Sequence, residues 1–206
     1  MVVQHLAPTH ESMLAELLSR ATSMPVVEVH DQPHIKPNHI YVIPPNREMV
    51  ITDGMLSLNP RPPGVHHPID MFFTALAESH GCQAIGVVLS GTASDGTLGL
   101  QAIKAAGGIT FAQDASASHR GMPSSAIESG CVDFILPPEE IAAELARFAR
   151  HSYVALPAED LAMRTDKLDR VLAIMRRDLG VDFTQYKPNT LYRRIRRRMA
   201  LVTGLR

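Results

Sequence analysis

The stretch AIGVVLSGTASDGTLGLQAIKAAGGITFAQD, residues 84–114, leaves few folds open. AIGVVLS is a near-continuous apolar run, the pattern of a strand covered on both faces. GTASDG reads as a tight loop. TLGLQAIKAAGG reads as a helix, with Leu98, Ala102 and Ile103 facing inward and Gly107 at its end. ITFAQD is a second apolar strand. A strand, helix and strand in this order pair in parallel through a right-handed crossover. The same alternation extends in both directions. Upstream, Thr9 can cap a helix over His10–Thr22 that presents Met13, Leu14, Leu17 and Leu18 on one face. PVVEV and HIYVI read as strands, and Asp53-Gly54 as the type I′ turn of a hairpin. HPIDMFFTALAESHG reads as a helix ended by Gly81. Downstream, MPSSAIESG is a short helix, VDFIL a buried strand and PPEEIAAELARFAR a closing helix. The fold class is α/β, a doubly wound and mostly parallel sheet, followed by a small all-α segment.

Charge divides the chain in two. Residues 1–160 carry 8 Lys/Arg against 17 Asp/Glu, and residues 161–206 carry 12 against 4, so −9 is followed by +8. Such a swing indicates two modules with different partners. Residues 152–160 read as a linker. In the basic part, Leu168, Val171, Leu172 and Met175 form an apolar stripe, Gly180 stops the helix, and a second helix follows Asn189. No run approaches the ~18–20 apolar residues of a membrane span. Cys82 and Cys131 lack CxxC spacing and read as free thiols.

Chemistry in an open α/β sheet gathers at the carboxyl ends of the strands. His5 follows the VVQ strand, and Asp95 lies in the loop after Ser90. A His that moves protons needs a group on its other ring nitrogen to fix its tautomer, and a buried Asp serves. A strand-end His is more often structural, and an Asp-Gly pair is more often turn chemistry. His30, His34 and His39 are interrupted by Pro33 and Pro37, which removes a common face for a metal. The loop GTASDGT has the glycine spacing of a phosphate cradle, but lacks its lysine and carries Asp95, which repels phosphate.

The run VVQHL, HIYVIPP, HPIDMFF, GVVLSGTASDGTLGLQAIKAAGG and AQDASAS…GMPSSAIESGCVDFILPPEEI resembles, in order, the chemotaxis receptor methylesterases of CheB type. The likeness covers nearly all of residues 1–150. Residues 151–160 are then a linker. LDRVLAIMRRDLGVDFTQYKPNTLYRRIRRRMALVTG, within residues 161–206, resembles the start of the helical N-terminal domain of CheR-type methyltransferases. The resemblance implies hydrolysis of glutamate methyl esters on chemoreceptors, in the cytoplasm. It implies His5 as general base, Asp95 as the carboxylate that orients it, and the Thr92 backbone as an oxyanion donor. Thr92 stands where relatives often have Met, and Ala93 where Gly is usual. It further implies a receptor-facing surface at Arg193, Arg194, Arg196, Arg197 and Arg198. Methyl-accepting receptors are the expected partner, with neither nucleic acid nor membrane insertion. No cofactor or metal is expected for the esterase part. S-adenosylmethionine is implied only for a methyltransferase domain that these residues do not include.

The family's nucleophile lies in a G-x-S-x-G-G turn, a motif these 206 residues lack. The chain therefore reads as a fragment that begins at the family's second strand and is inactive alone. Ser12, Ser90 and Ser94 lack the strained turn a nucleophile needs. A non-catalytic receptor-binding or scaffold module is the alternative, and nucleotide binding at GTASDGT a weaker one.

Overall fold

A computed structural model describes residues 1–6, 12–150, 165–183 and 188–203. Two compact units are present, Met1–Pro138 and Glu139–Arg206. The first carries helix α1 (Leu14–Ala21), strands β1 (Val26–Glu28) and β2 (Ile40–Val42), and the hairpin β3 (Arg47–Thr52) and β4 (Met55–Pro60). Helix α2 (Pro68–His80), β5 (Ile85–Val88), α3 (Thr97–Ala105), β6 (Ile109–Gln113), α4 (Gly121–Glu128) and β7 (Phe134–Leu136) follow.

Two parallel ladders form, β1–β2 and β5–β6–β7. Val2 bridges Val42 in parallel and extends the first ladder, with its N–H on the Tyr41 carbonyl at 2.7 Å. The hairpin turns at Asp53 (φ 50°) and Gly54 (φ 74°), the paired positive angles of the expected turn. The core joins both ladders, the hairpin, α2 and α3 in one cluster that includes Val29, Tyr41, Met49, Phe72, Leu100 and Ile103. Each of its largest side chains contributes roughly 1.5–3 kcal/mol by leaving water.

Several expectations need correction. Helix α1 begins at Leu14, and the proposed Thr9 cap lies outside the described residues. Ser12 instead accepts the Leu14 N–H at 3.2 Å. Met13 and Leu17 are exposed, so the helix does not bury its whole apolar stripe. β5 alternates in burial rather than being covered on both faces, whereas β6 is buried throughout. The physical reason is position, because β5 and β7 are the outer strands of the ladder and β6 lies between them. Ile135 of β7 is exposed for the same reason.

On α3, Leu98 points outward at 65 % exposure, and Gly99, Leu100 and Ile103 face inward. Gly99 decides this rotation. A Cβ there would fall 2.4 Å from the Phe73 Cβ and 3.1 Å from the Asp70 backbone. The two helices thus cross with almost no side chain between them.

In the second unit, α5 (Pro138–Arg150), α6 (Thr165–Leu179) and α7 (Pro188–Thr203) are the helices. Gly180 (φ 69°) ends α6, its N–H on the Arg176 carbonyl. Leu172 and Met175 are half-buried and Val171 is exposed, while the side chain of Leu168 lies outside the described set. The linker 152–160 lies wholly outside the described residues.

Replacing Gly99 by Ala forces α2 and α3 apart. Chemical denaturation is expected to show a loss of about 1–3 kcal/mol, whereas Leu98→Ala, on the exposed face, should change stability by less than about 1 kcal/mol.

Candidate functional site

Asp95 is carried by the loop between β5 and α3, where Ala93 (φ 62°) and Gly96 (φ 93°) turn the chain sharply. Its side chain is 2 % exposed. Its Oδ2 accepts the Ile69 N–H at 3.0 Å, and its Oδ1 accepts the N–H groups of Asp70 and Gly96, both at 2.9 Å. Ile69 and Asp70 belong to the first turn of α2, whose N–H groups have no partner within the helix. The carboxylate therefore caps α2 at the end where the helix dipole favours negative charge. Asp70 returns the arrangement, its Oδ1 accepting the Gly99 N–H of α3 at 2.8 Å. Burial pushes the Asp70 carboxyl upward, opposed by that backbone N–H.

His5 Nε2 stands 2.8 Å from Asp95 Oδ2, with its side chain 49 % exposed. The structure thus unites two residues that lie 90 positions apart in the chain. With Nε2–H on the carboxylate, Nδ1 is the ring nitrogen left to take a proton. A second histidine, not anticipated from the sequence, joins them: His67 Nδ1 is 3.9 Å from Asp95 Oδ1. Its place immediately before Pro68, at the first turn of a helix, is the signal that locates it.

His67, Asp70 and Asp95 have the donor types of a cation site. Their oxygens are already committed, however, to three backbone N–H groups on Asp95, to His5 and to Gly99. His30, His34 and His39 do not converge. His30 faces Glu28, His34 bridges Met55, and His39 stacks on Tyr41.

Thr92 is exposed in the Asp95 loop, and no hydrogen bond from its N–H is found among the described residues. The loop rests on the start of α4, where a Cβ on Gly121 would fall 2.7 Å from the Ala93 nitrogen. Ser90 is occupied structurally: its Oγ accepts the His119 N–H and its own N–H donates to Gln113. The Gly91 N–H reaches the His119 carbonyl, the Gly96 N–H reaches Asp95, and the Thr97 N–H reaches the Ser94 carbonyl. These donors point into the protein, which disfavours a phosphate cradle.

Beside His5, a cleft enclosing about 260 Å³ of space open to solvent is lined by Gln4, His5, Arg47, Arg61 and His66, among others. The His5 and His66 rings meet edge-on at 6.5 Å. His66 Nε2 lies 3.1 Å from Glu48 Oε1, both side chains under a tenth exposed, though not aligned as a hydrogen bond. Burial lowers the proton affinity of His66, partly offset by Glu48. Burial also lowers that of His80, whose Nδ1 has no hydrogen-bond partner among the described residues.

In the basic unit, Arg194 and Arg198 are exposed and Arg197 is half-buried on α7. Arg193 and Arg196 lie on the same helix, with side chains outside the described set.

Parallel ladders joined through helices, with a histidine and a buried carboxylate brought together beside a cleft, define a doubly wound α/β domain. More particularly, this chain belongs to the CheB methylesterase family, whose model matches residues 1–145. The all-alpha domain of CheR methyltransferases matches residues 166–203, which fits a fusion of the two. An uncharacterized 104.1 kDa protein of Rhodobacter capsulatus is 37 % identical, over 91 % of this chain and 22 % of its own length. A protein-glutamate methylesterase/protein-glutamine glutaminase of Myxococcus xanthus is 35 % identical, over 73 % of this chain and 46 % of its own. The chain thus spans less than half of either relative. The CheB methylesterase catalytic domain of Thermotoga maritima superposes with a TM-score of 0.66 at 29 % identity, covering 71 % of this chain and 81 % of that one. Among the described residues no helix is long and apolar enough to cross a membrane.

His66 and His80 set a pH dependence. Folding lowers the proton affinity of both, so below the unfolded value near ~6.5 the unfolded chain binds the protons more tightly. Their contribution is complete above that value and lost as pH falls through it. The melting temperature is expected to drop between about pH 7.5 and 5.5, with a shallower slope in His66→Asn and His80→Asn.

Proposed function

We propose that residues 1–150 supply the acid–base half of a protein-glutamate methylesterase acting on methylated chemoreceptors. The observation that carries this reading is the 2.8 Å contact between the accessible His5 and the buried, helix-capping Asp95. His5 Nδ1 takes the proton of a serine hydroxyl as that oxygen attacks the ester carbonyl. The Thr92 N–H faces the developing oxyanion. Collapse of the tetrahedral intermediate breaks the C–OCH3 bond, and His5 returns the proton to the departing methanol. Water, activated by the same histidine, then releases the glutamate carboxylate. Asp95 holds the ring and stabilises the imidazolium between these steps.

No serine among these residues stands in a G-x-S-x-G-G turn, so this reading takes the attacking serine from outside them. Ser90 is engaged by His119, and Ser12 by Leu14. Arg193, Arg194, Arg196, Arg197 and Arg198 are the basic positions of α7 to which this reading gives the receptor-facing role, with Arg194 and Arg198 exposed; acidic receptor helices would be drawn to them by long-range attraction. S-adenosylmethionine would serve a methyltransferase domain only where one accompanies these two modules.

Methanol release from a methylated receptor tests the proposal. The 206-residue chain alone is expected to release none. A polypeptide that also carries the nucleophile turn is expected to be active, and His5→Ala in it lowers kcat on the order of 10⁴-fold or more. Activity of the short chain that vanishes on Ser90→Ala or Ser94→Ala would place the nucleophile within this chain and overturn that part of the assignment. A silent His5→Ala would overturn the role of the pair.

A further inference from the structure

The cleft beside His5 is cationic, although it belongs to the acidic part of the chain. Residues 1–160 hold 8 Lys/Arg, and two of them, Arg47 and Arg61, line it. Other cations of that region are engaged: Arg20 with Glu16, Lys104 with Asp133, Arg147 with Glu144, and Arg120 with the Ala115 carbonyl. Neither Arg47 nor Arg61 has a carboxylate partner among the described residues. The acidic groups nearest the cleft are covered. Asp95 is shut behind His5, and the Glu48 side chain is 9 % exposed against His66. Arg61 also acts on its surroundings, since its charge helps to disfavour protonation of His66. Two guanidinium groups on a cleft open to solvent, with the neighbouring carboxylates covered, suit one carboxylate side chain of a substrate.

Helix geometry narrows which side chain that is. The His5 and His66 rings are 6.5 Å apart. Side chains one turn apart on a helix start from Cβ atoms separated by about 5–6 Å. An ester carbonyl presented to His5 by a helical substrate therefore sets a neighbour three or four positions away toward the part of the cleft lined by His66, Arg47 and Arg61. We propose that this cleft is a specificity subsite for a carboxylate one helical turn from the esterified glutamate, with Arg61 as its principal ligand and Arg47 supporting it. Guanidinium forks bind carboxylates through paired hydrogen bonds, which gives direction as well as charge. The subsite rests on the esterase reading, because His5 locates the ester.

Binding, rather than turnover, provides the test. Two helical peptides carry one glutamate γ-methyl ester, with Glu or Gln four positions later. Calorimetry on the 206-residue chain is expected to show about tenfold tighter binding of the Glu peptide, a ratio that falls with added salt. Arg61→Gln reduces the ratio to below about twofold, and Arg61→Lys restores part of it. Melting curves confirm that the variants are folded. Equal affinities, failure of the Glu peptide to bind, or a ratio that survives Arg61→Gln combined with Arg47→Gln would each overturn the subsite. A retained ratio in a longer polypeptide that releases no methanol would instead overturn the esterase reading and leave the subsite standing.

Discussion

The carboxylate of Asp95 is the constraint on which the rest of this domain depends. It enters the protein from the β5–α3 loop and ends on the first turn of α2, where two backbone N–H groups of that helix and the Gly96 N–H of its own loop converge on it. A buried charge without such partners costs several kcal/mol, so the loop, the helix end and the acid can only be placed together. Asp70 makes the same connection in reverse, from α2 to α3. Two acids thus exchange helix ends, and Gly99 allows the backbones to close at the point where they do so. One edge of Asp95 remains for His5. The His5–Asp95 pair is therefore held by the same bonds that join α2 to α3.

Charge is distributed by depth as well as along the chain. The acidic groups of the site are buried and satisfied by backbone donors or by histidine, while Arg47 and Arg61 stand at the open cleft. The net −9 of residues 1–160 consequently says little about the field that meets a substrate. The +8 of the helical part is carried largely on α7, where Arg194 and Arg198 are exposed. Basic groups thus stand at a cleft in one module and at exposed positions of a helix in the other.

The order of elements, the Asp53-Gly54 turn, the Gly81 and Gly180 helix ends and the parallel β5–α3–β6 unit were legible in the residues, because turn chemistry and hydrophobic period are local properties. His5 and Asp95 were legible as strand-end polar groups, and family resemblance supplied their roles. The orientation of α3 was not. Apolar pattern favours Leu98 as a core residue, and only the near-contact of two helices at Gly99 turns it outward. The one-sided burial of β5 was equally hidden, since an apolar strand does not reveal how many neighbours it has. His67 beside Asp95, and the His66–Glu48 pair, join segments distant in sequence; the place of His67 before Pro68 marks a helix start but not the partner it meets.

What the sequence determined by itself is an α/β domain of the CheB methylesterase family joined to a basic helical module, with a histidine and an aspartate at strand ends. Local turn geometry, strand periodicity and charge are written residue by residue, so these survive without coordinates. Tertiary structure alone decided that Asp95 belongs to the end of α2, that His5 reaches it at 2.8 Å, and that two arginines flank the same opening. These depend on which helix ends and strand ends meet, and close packing around Gly99 and the buried carboxylates fixes that meeting.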